Sequence, residues 1–392
     1  MASWDDKQDL ALYVHWPFCA SKCPYCDFNS HVVDTVDHER WAEALVRELN
    51  YMANLSERRG DVIRSIFFGG GTPSMMAPQT MAAVIDAARD IFTPSNDLEI
   101  TMEANPTSVE AAKLADFAAA GANRLSMGIQ ALDDDALMFL GRAHSADEAL
   151  GALDVARQYF SRVSTDFIYA RPDHKPEDWQ DELRRILELG LDHYSLYQLT
   201  LEQGTAFWSK HQRGLLDVPP DDDARVLFDI TRAMTEAAGL PFYEVSNHAR
   251  PGEECRHNMI YWKAQDWLGI GPGAYGRFFK DETRVEVRSR RDPAAWLDDV
   301  TAQGHAIDIK TDDRLTDYAH EAVMMGLRLK DGIDLDDIAK RAGRIKSWLD
   351  ESRLQALVEE ELIILDENKL SLTPKGAPLL NAILNAILRD EA

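Results

Sequence analysis

Segments typical of buried β-strands alternate with segments typical of helices along the first 200 residues of this 392-residue chain. Six apolar, strand-like segments begin near residues 10, 62, 98, 124, 163 and 193, and apolar residues at helical spacing recur between them. Strands that alternate with helices form a parallel sheet with crossover helices. The sequence therefore predicts an α/β fold, either a partial (β/α)6 barrel or a doubly wound sheet. Functional residues are expected at the C-terminal ends of the strands.

The last part of the chain has a different pattern. Helices are predicted at 314–329, 333–341 and 348–360, followed by a hairpin at 362–372 and a helix at 376–388. This order is typical of a winged-helix-like module. The module is poor in basic clusters, so we expect it to pack on the rest of the chain or to bind a partner other than DNA. We divide the chain into residues 1–230 (barrel), 231–310 (linking region) and 311–392 (C-terminal module).

Three cysteines, Cys19, Cys23 and Cys26, follow the first predicted strand in a C-x3-C-x2-C pattern, and Cys255 is remote. Three clustered thiolates can hold three irons of a four-iron cluster and leave the fourth iron open to a small molecule. Zinc is an alternative, with His15 or His31 as its fourth ligand. A disulfide would leave one of the three cysteines unpaired. The polar residues between them do not indicate a buried core strand.

Composition limits the class of protein. The formal net charge of −25 argues against general nucleic-acid binding, because such binding needs a basic surface. No stretch of about 18 apolar residues occurs, and the first residues lack an apolar signal core, so we expect neither a transmembrane helix nor export. Few cysteines and no export signal favour the cytoplasm, where an iron–sulfur cluster survives.

Polar and glycine-rich motifs follow the next predicted strands. The second strand ends in Gly-Gly-Gly-Thr-Pro at 69–73, which lacks the lysine of a phosphate-binding loop and is expected to let its backbone approach a ligand. Glu103 ends the third strand, Gln130 ends the fourth, Arg142 follows in a loop and Asp166 lies in the fifth. A Gly-x-Gly-x-x-Gly string at 271–276 precedes no clear helix and does not indicate a dinucleotide site.

The chain resembles the radical S-adenosylmethionine superfamily, in the branch of anaerobic coproporphyrinogen dehydrogenase and the HemW haem chaperones. The resemblance rests on the cysteine motif, Gly-Gly-Gly-Thr-Pro at 69–73, Glu-Ala-Asn-Pro at 103–106, Ser-Met-Gly-Ile-Gln at 126–130 and Leu-Gly-Arg-Ala-His at 140–144. It implies a radical-SAM partial barrel in which the three cysteines ligate a [4Fe-4S] cluster. S-adenosylmethionine would then be held by Tyr13, Phe28, Gly70, Gly71, Thr72, Glu103, Gln130, Arg142, Asp166 and Ile270.

Two features favour the haem-chaperone type within this branch. The dehydrogenases carry an extra cysteine two residues after the third, where this chain has Phe28, and they also have a longer N-terminal extension. The segment at 257–262, His-Asn-Met-Ile-Tyr-Trp, resembles the H-N-x-x-Y-W haem-binding signature of the chaperones. The resemblance implies that His257, Tyr261 and Trp262 bind haem, through an axial imidazole and flat apolar contacts.

The residues themselves leave other interpretations open. A lone histidine is more often a hydrogen-bonded structural residue, and Tyr261 and Trp262 would more often be core residues. His248 and Cys255 are fallback haem ligands, and Cys255 could also be a plain buried thiol.

The first hypothesis is a haem chaperone that carries a cluster, S-adenosylmethionine and haem and transfers haem to an acceptor protein. Under this hypothesis the acceptors include respiratory proteins. The chaperone itself would be a monomer or a homodimer, with peripheral contact to the membrane. The second hypothesis is an oxygen-independent coproporphyrinogen III dehydrogenase, a radical enzyme that decarboxylates propionate side chains. The third is a partner-binding protein in which a metal only stabilises the fold.

Overall fold

The structure is a computed structural model that describes residues 9–280, 283–342 and 349–388. Its first part contains the predicted alternation of strands and helices. The strands are β1 (Asp9–Trp16), β2 (Phe18–Cys19), β3 (His31–Val32), β4 (Val62–Gly70), β5 (Thr93–Ala104), β6 (Arg124–Gln130), β7 (Arg162–Tyr169) and β8 (His193–Gln198). The helices are α1 (His38–Leu55), α2 (Pro78–Ile91), α3 (Ser108–Ala111), α4 (Leu114–Ala119), α5 (Asp134–Phe139), α6 (Ala146–Tyr159), α7 (Pro176–Glu188), α8 (Ala206–His211) and α9 (Asp221–Ala237), and a 3-10 turn covers Pro73–Met75.

The remaining elements form the linking region and the C-terminal module. The former contains β9 (Asn247–Ala249), α10 (Arg256–Trp262), β10 (Asp266–Ile270), β11 (Tyr275–Lys280), β12 (Thr283–Ser289), α11 (Pro293–Gln303) and β13 (Ile307–Asp313). The latter contains α12 (Leu315–Gly326), β14 (Ile333–Asp334), α13 (Leu335–Ala342), α14 (Glu351–Glu359), β15 (Ile363–Asp366), β16 (Lys369–Leu372), a 3-10 turn (Ala377–Leu379) and α15 (Leu380–Ile387).

One large sheet organises the barrel, with the strand order β13-β12-β11-β10-β1-β4-β5-β6-β7-β8-β9. The six predicted strands β1, β4, β5, β6, β7 and β8 are consecutive neighbours and run parallel. The two ends of the sheet, β13 and β9, do not pair with each other, so the barrel is partial. The predicted partial (β/α)6 barrel is therefore confirmed, and the doubly wound alternative is not needed.

The sheet extends beyond the six strands. Strand β10 pairs with β1 in parallel, which places the first strand of the chain inside the sheet. Strands β11, β12 and β13 continue it as an antiparallel extension. Much of the region at 231–310 is thus built into the barrel sheet itself.

The predicted helix at 109–119 is wrong in one respect, because it divides into α3 and α4. The N–H of Lys113 donates to the carbonyl of Glu110, three residues earlier, and this tighter turn interrupts the helical bonding. In the C-terminal module, β14, β16 and β15 form a small antiparallel sheet against helices, as the winged-helix-like prediction requires. Trp348, at the start of the predicted third helix, lies outside the described residues.

Side chains alternate along each barrel strand between the helices and the barrel interior. On β6, Leu125, Met127 and Ile129 join the main hydrophobic core between sheet and helices. The alternate residues Ser126 and Gln130 line an interior cavity instead. The interior of this barrel contains cavities, which distinguishes it from the packed apolar interior of a closed eight-stranded barrel.

Candidate functional site

The cysteine loop lies at the C-terminal end of β1, held by the short parallel pair of β2 and β3. Cys19 is buried, and Cys23 and Cys26 are half-buried. The Thr72 hydroxyl donates to Cys19 Sγ over 3.4 Å, and the Arg142 Nη1 donates to Cys23 Sγ over 3.4 Å. Two of the three sulfurs therefore already have a hydrogen-bond donor of the kind that stabilises thiolates.

The three thiols also influence one another. Burial raises the pKa of Cys19 and of Cys26, and the neighbouring cysteine thiols raise both pKa values further. The hydroxyl of Thr72 acts in the opposite direction on the pKa of Cys19. A group of thiols this close together becomes stable as thiolates when a metal centre supplies positive charge.

A cavity of about 590 Å³ opens beside the cysteine loop, at the C-terminal ends of the barrel strands. It brings together eleven of the predicted site residues, namely Cys19, Cys23, Cys26, Phe28, Gly70, Gly71, Thr72, Glu103, Gln130, Arg142 and Asp166. Tyr13 lines a second cavity deeper in the barrel. Ile270 lines neither cavity, because its side chain is fully buried in the main core.

Two half-buried carboxyl groups face the first cavity. The N–H of Gly70 donates to Glu103 Oε2 over 3.3 Å, and the Ser126 hydroxyl lies 3.2 Å from Asp166 Oδ1. Burial, together with the nearby Asp166, raises the pKa of Glu103 to about 8. Burial also raises the pKa of Asp166. Carboxyl groups held this way gain most from a cationic ligand group.

The glycine motif has a packing function that the sequence did not reveal. Gly70 has a φ of +110°, and a Cβ on it would come within 2.5 Å of the His15 ring. A Cβ on Gly71 would come within 2.6 Å of the Phe18 carbonyl oxygen. The expectation that these glycines serve close approach of a ligand is therefore incomplete, because they first allow β4 to pack against β1 and the start of the cysteine loop.

The second cavity has a volume of about 570 Å³ and a more aromatic lining. It shares Phe28, Gly70, Glu103, Ser126, Asp166 and Tyr197 with the first cavity, so the two adjoin. Its other lining residues include Tyr13, Phe67, His257, Tyr261, Trp267 and Tyr275. Trp262, the last residue of the predicted haem signature, lines neither cavity.

His257 has both ring nitrogens engaged. Its Nδ1 lies 2.9 Å from the Ser65 hydroxyl and its Nε2 lies 2.7 Å from the Tyr261 hydroxyl. The ring also stacks on Phe67, with a centroid distance of 5.0 Å. Burial lowers the pKa of His257 to about 3, so the imidazole is neutral. In this arrangement His257 is a hydrogen-bonded structural residue, which is the alternative to a haem ligand that the sequence analysis left open.

The fallback ligands are also buried. Cys255 Sγ lies 3.5 Å from Glu99 Oε1, and burial raises the pKa of this thiol to about 12. The Nδ1 of His248 has no hydrogen-bond partner within the part of the chain that the structure describes. Cys255 lines the second cavity, whereas His248 lines neither.

Sequence reasoning missed two asparagines that organise the site. Asn105 Oδ1 accepts from Arg142 Nη2 over 2.5 Å, and Asn105 Nδ2 donates to Thr72 Oγ1 over 3.3 Å, so one side chain orients both donors to the cysteines. Asn29 Nδ2 donates to the carbonyls of Pro272 and Arg291 over 2.9 and 2.8 Å. Asn105 belongs to the Glu-Ala-Asn-Pro motif and Asn29 follows Phe28 directly after the cysteine motif, and these positions were the available signal.

The lengths and hydropathy of the helices test the expectation that the chain has no transmembrane helix. Within residues 9–280, 283–342 and 349–388, no helix is both long and apolar enough to cross a membrane.

Comparison with known proteins agrees with this arrangement. The profile of the Radical SAM superfamily matches residues 13–186, and that of the HemN C-terminal domain matches residues 314–379. A protein of Mus musculus, "Radical S-adenosyl methionine domain-containing protein 1, mitochondrial", is 39% identical over 96% of this chain and 87% of its own length. "Heme chaperone HemW" of Escherichia coli is 34% identical over 97% of this chain and 98% of its own length.

Among solved structures, the coproporphyrinogen III oxidase HemN from Escherichia coli superposes with a TM-score of 0.80 at 23% identity. The match covers 97% of this chain and 90% of HemN, and it supports the fold. On the sequence relatives and the shared fold, the chain belongs to the radical S-adenosylmethionine superfamily, in its coproporphyrinogen dehydrogenase-like branch beside the HemW haem chaperones.

Proposed function

We propose that this protein is a haem chaperone that carries a [4Fe-4S] cluster and S-adenosylmethionine, binds haem and transfers it to an acceptor protein. The main support is the similarity to HemW proteins along nearly the whole chain, including the HemW-like segment at 257–262. Phe28 at the position of the extra dehydrogenase cysteine favours this proposal over decarboxylation of coproporphyrinogen III. We place its function in the cytoplasm, with haem acceptors that include respiratory proteins.

The cysteine loop fits a cluster better than a zinc ion. Within the described residues, no group of three or more His, Cys, Asp or Glu side chains converges on a single metal ion. Structural zinc needs four ligands around one ion, whereas a four-iron cluster places each thiolate on a different iron. The ring nitrogens of His15 are also occupied, by Tyr13 OH at 3.0 Å and the Asn29 carbonyl at 2.9 Å. Cys19, Cys23 and Cys26 would hold the cluster.

The first cavity suits S-adenosylmethionine, whose amino group and sulfonium are cationic. Glu103 and Asp166 supply half-buried carboxyl groups, and Thr72, Gly71 and Gln130 supply polar contacts around them. When bound to a cluster, this cofactor can support one-electron chemistry. The protein's own contribution is to exclude bulk water, to orient the cationic groups through carboxylates and to hold Arg142 beside Cys23.

The second cavity suits a flat apolar ligand such as haem. Tyr13, Phe67, Tyr261 and Trp267 offer aromatic surface, and Phe28 forms part of both cavities. We propose that His257 binds haem iron through Nε2, after the hydrogen bond to Tyr261 is released. Tyr261 then contacts the porphyrin, and Trp262 supports this segment from outside the cavity.

A haem titration of three variants tests the role of His257. His257→Ala should weaken haem binding and remove the imidazole features from the haem spectrum. Tyr261→Phe should strengthen the iron–imidazole signal, because it removes the hydrogen bond that competes for Nε2. Tyr159→Phe, an exposed substitution on α6 at a residue that lines neither cavity, serves as the control. Unchanged spectra in both His257→Ala and Tyr261→Phe would remove His257 as a ligand.

Anaerobic reconstitution tests the cofactor assignment and the enzymatic alternative together. We expect roughly four iron and four sulfide per chain in the wild type. Each of Cys19→Ala, Cys23→Ala and Cys26→Ala should remain folded without the cluster absorbance, whereas unfolding of all three would favour a purely stabilising metal. Stoichiometric zinc without sulfide would refute the cluster. Efficient conversion of coproporphyrinogen III by the reconstituted protein would refute the chaperone in favour of the dehydrogenase.

A further inference from the structure

Arg124 occupies an unusual place for an arginine. It is the first residue of β6 and lies two residues before Ser126, on the same interior face of the strand. Only 3% of it is exposed to solvent, and it lines the second cavity near the N-terminal ends of the strands. This position is about 7 Å deeper in the barrel than Ser126, since each strand residue advances by roughly 3.3 Å.

The guanidinium of Arg124 lacks a close acceptor. Its ion pair with Glu99 is long, with 4.0 Å between Nε and Oε2, and its side chain makes no hydrogen bond within the described residues. Glu99 Oε2 already accepts from Arg162 Nη1 over 2.6 Å. A buried guanidinium carries five N–H donors, and leaving them without acceptors is costly. The cavity beside it is the place from which an acceptor can come.

We propose that Arg124 is an anion subsite that binds a carboxylate of the ligand in the second cavity. This inference rests on the proposed function, under which the carboxylate is a propionate of haem. A planar guanidinium matches a carboxylate with two parallel hydrogen bonds, and such charged bonds are strong in a buried site. Arg124 would thereby fix which edge of the tetrapyrrole enters the barrel first.

The lining of the cavity supports this orientation. Glu103 and Asp166 lie where the two cavities meet, and their carboxyl groups offer no cationic partner to a second carboxylate there. Asp166 is turned toward Ser126, through contacts of 3.2 and 3.3 Å between the hydroxyl and its two oxygens. A ligand with one acidic edge therefore avoids the cofactor side of the barrel and directs that edge toward Arg124.

Comparing haem with its dimethyl ester, in which the propionate groups carry no charge, tests the proposal. The wild type should bind haem about 10- to 100-fold more tightly than the ester, which is the range for a charge-assisted hydrogen bond. Arg124→Gln should lose most of this preference by weakening haem alone. Arg124→Lys should retain part of the preference for haem, because lysine keeps the positive charge but cannot donate two parallel hydrogen bonds. Arg290→Gln is the matched control and should keep the wild-type ratio, since Arg290 is exposed to solvent and lines neither cavity.

The outcomes separate this inference from the proposed function. Equal wild-type affinity for haem and ester, or an equal loss of both ligands in Arg124→Gln, would overturn the anion subsite and leave haem binding intact. Failure of the wild type to bind either ligand would overturn haem binding as well. Because the readout is a ratio between two ligands in one variant, a partial folding defect cancels. If Arg124→Gln does not fold, an unchanged ratio in Arg124→Lys overturns the subsite.

Discussion

At the scale of single residues, the barrel interior is defined by ionisable groups that have few partners. Glu103 accepts from the N–H of Gly70, and Arg124 is paired with Glu99 only at 4.0 Å. In a protein without a ligand in this space, burying such groups costs stability. Under the proposed function these side chains serve ligand binding, and the pH dependence of stability should reveal the cost of burying them.

Glu103 provides the residue-scale prediction. Its folded-state pKa of about 8 lies above its ordinary value of 4.5. The stability contributed by the raised pKa is fully present below about pH 4.5 and is lost as the pH rises through 8. Glu103→Gln in the cluster-free protein should therefore flatten the fall in unfolding free energy between pH 5 and 8, as measured by urea denaturation. Glu43→Gln, an exposed change on α1, should leave the wild-type slope, and an unaltered slope in Glu103→Gln would contradict the assignment.

At the scale of elements, two side chains connect segments that are distant in sequence. Asn29 joins the cysteine loop to the turn after β10 and to the segment before α11. Glu48 on α1 accepts from the N–H of Gly271, the N–H of Ala306 and the indole of Trp296. The β10–β13 extension is thus held against the first strand and helix by a few buried polar contacts.

Removing the Asn29 amide should loosen the cysteine loop. In Asn29→Ala, the carbonyls of Pro272 and Arg291 lose their donor, and the loop is no longer tied to the end of β10. We expect a lower iron and sulfide content after anaerobic reconstitution, with little change in far-ultraviolet circular dichroism. Ser21→Ala, at an exposed position in the same loop, should reconstitute normally. Full iron content in Asn29→Ala would show that the loop is fixed by other contacts.

Removing Glu48 should be costly for the extension of the sheet. Glu48 is fully buried, and Glu48→Ala leaves these three donors and the Ser289 hydroxyl without this acceptor. A destabilisation of about 3 kcal/mol or more is expected, since each unsatisfied buried donor costs roughly 1–3 kcal/mol. Urea denaturation followed by tryptophan fluorescence measures it, with Glu43→Ala as the control on the same helix. A loss below about 1 kcal/mol would mean that water replaces the carboxylate.

At the scale of the whole molecule, the C-terminal module has its own hydrophobic core and packs on the barrel through polar and aromatic contacts. Arg284 is fully buried, with its Nη1 2.5 Å from Asp266 Oδ1, and its guanidinium carbon lies 5.5 Å from the Tyr318 ring centre. Phe279 of β11 meets Tyr318 of α12 edge to face. Arg277 of β11 also pairs with Glu321 of α12. The module is thereby attached to the sheet extension that also borders the second cavity.

Arg284→Ala should weaken this attachment. It leaves Asp266 with Arg58 and the N–H of Phe279, and it removes the buried guanidinium beside Tyr318. Breaking a buried pair by removing one partner typically costs about 3–5 kcal/mol. We expect faster proteolysis between β13 and α12, near residue 314, at a temperature where the wild type resists. Arg290→Ala breaks an exposed pair with Asp299 and should have little effect. Equal cleavage rates in both variants would show that Arg284 does not secure the module.

The sequence by itself determined the parallel barrel, the helical end of the chain and the position of the cysteine loop. These follow from local periodicity and from the rule that strand ends gather at one edge, which places Cys19, Glu103 and Asp166 around one cavity. Only the tertiary structure decided that β10 pairs beside β1, that Ile270 is buried, and that Gly70 makes room for His15. It also decided that the Tyr261 hydroxyl is hydrogen-bonded to His257 Nε2. The guanidinium of Arg124, which has no close hydrogen-bond acceptor among the described residues, was likewise placed beside a cavity only by the tertiary structure. Each of these depends on contacts between segments far apart in sequence, and no local pattern encodes such contacts.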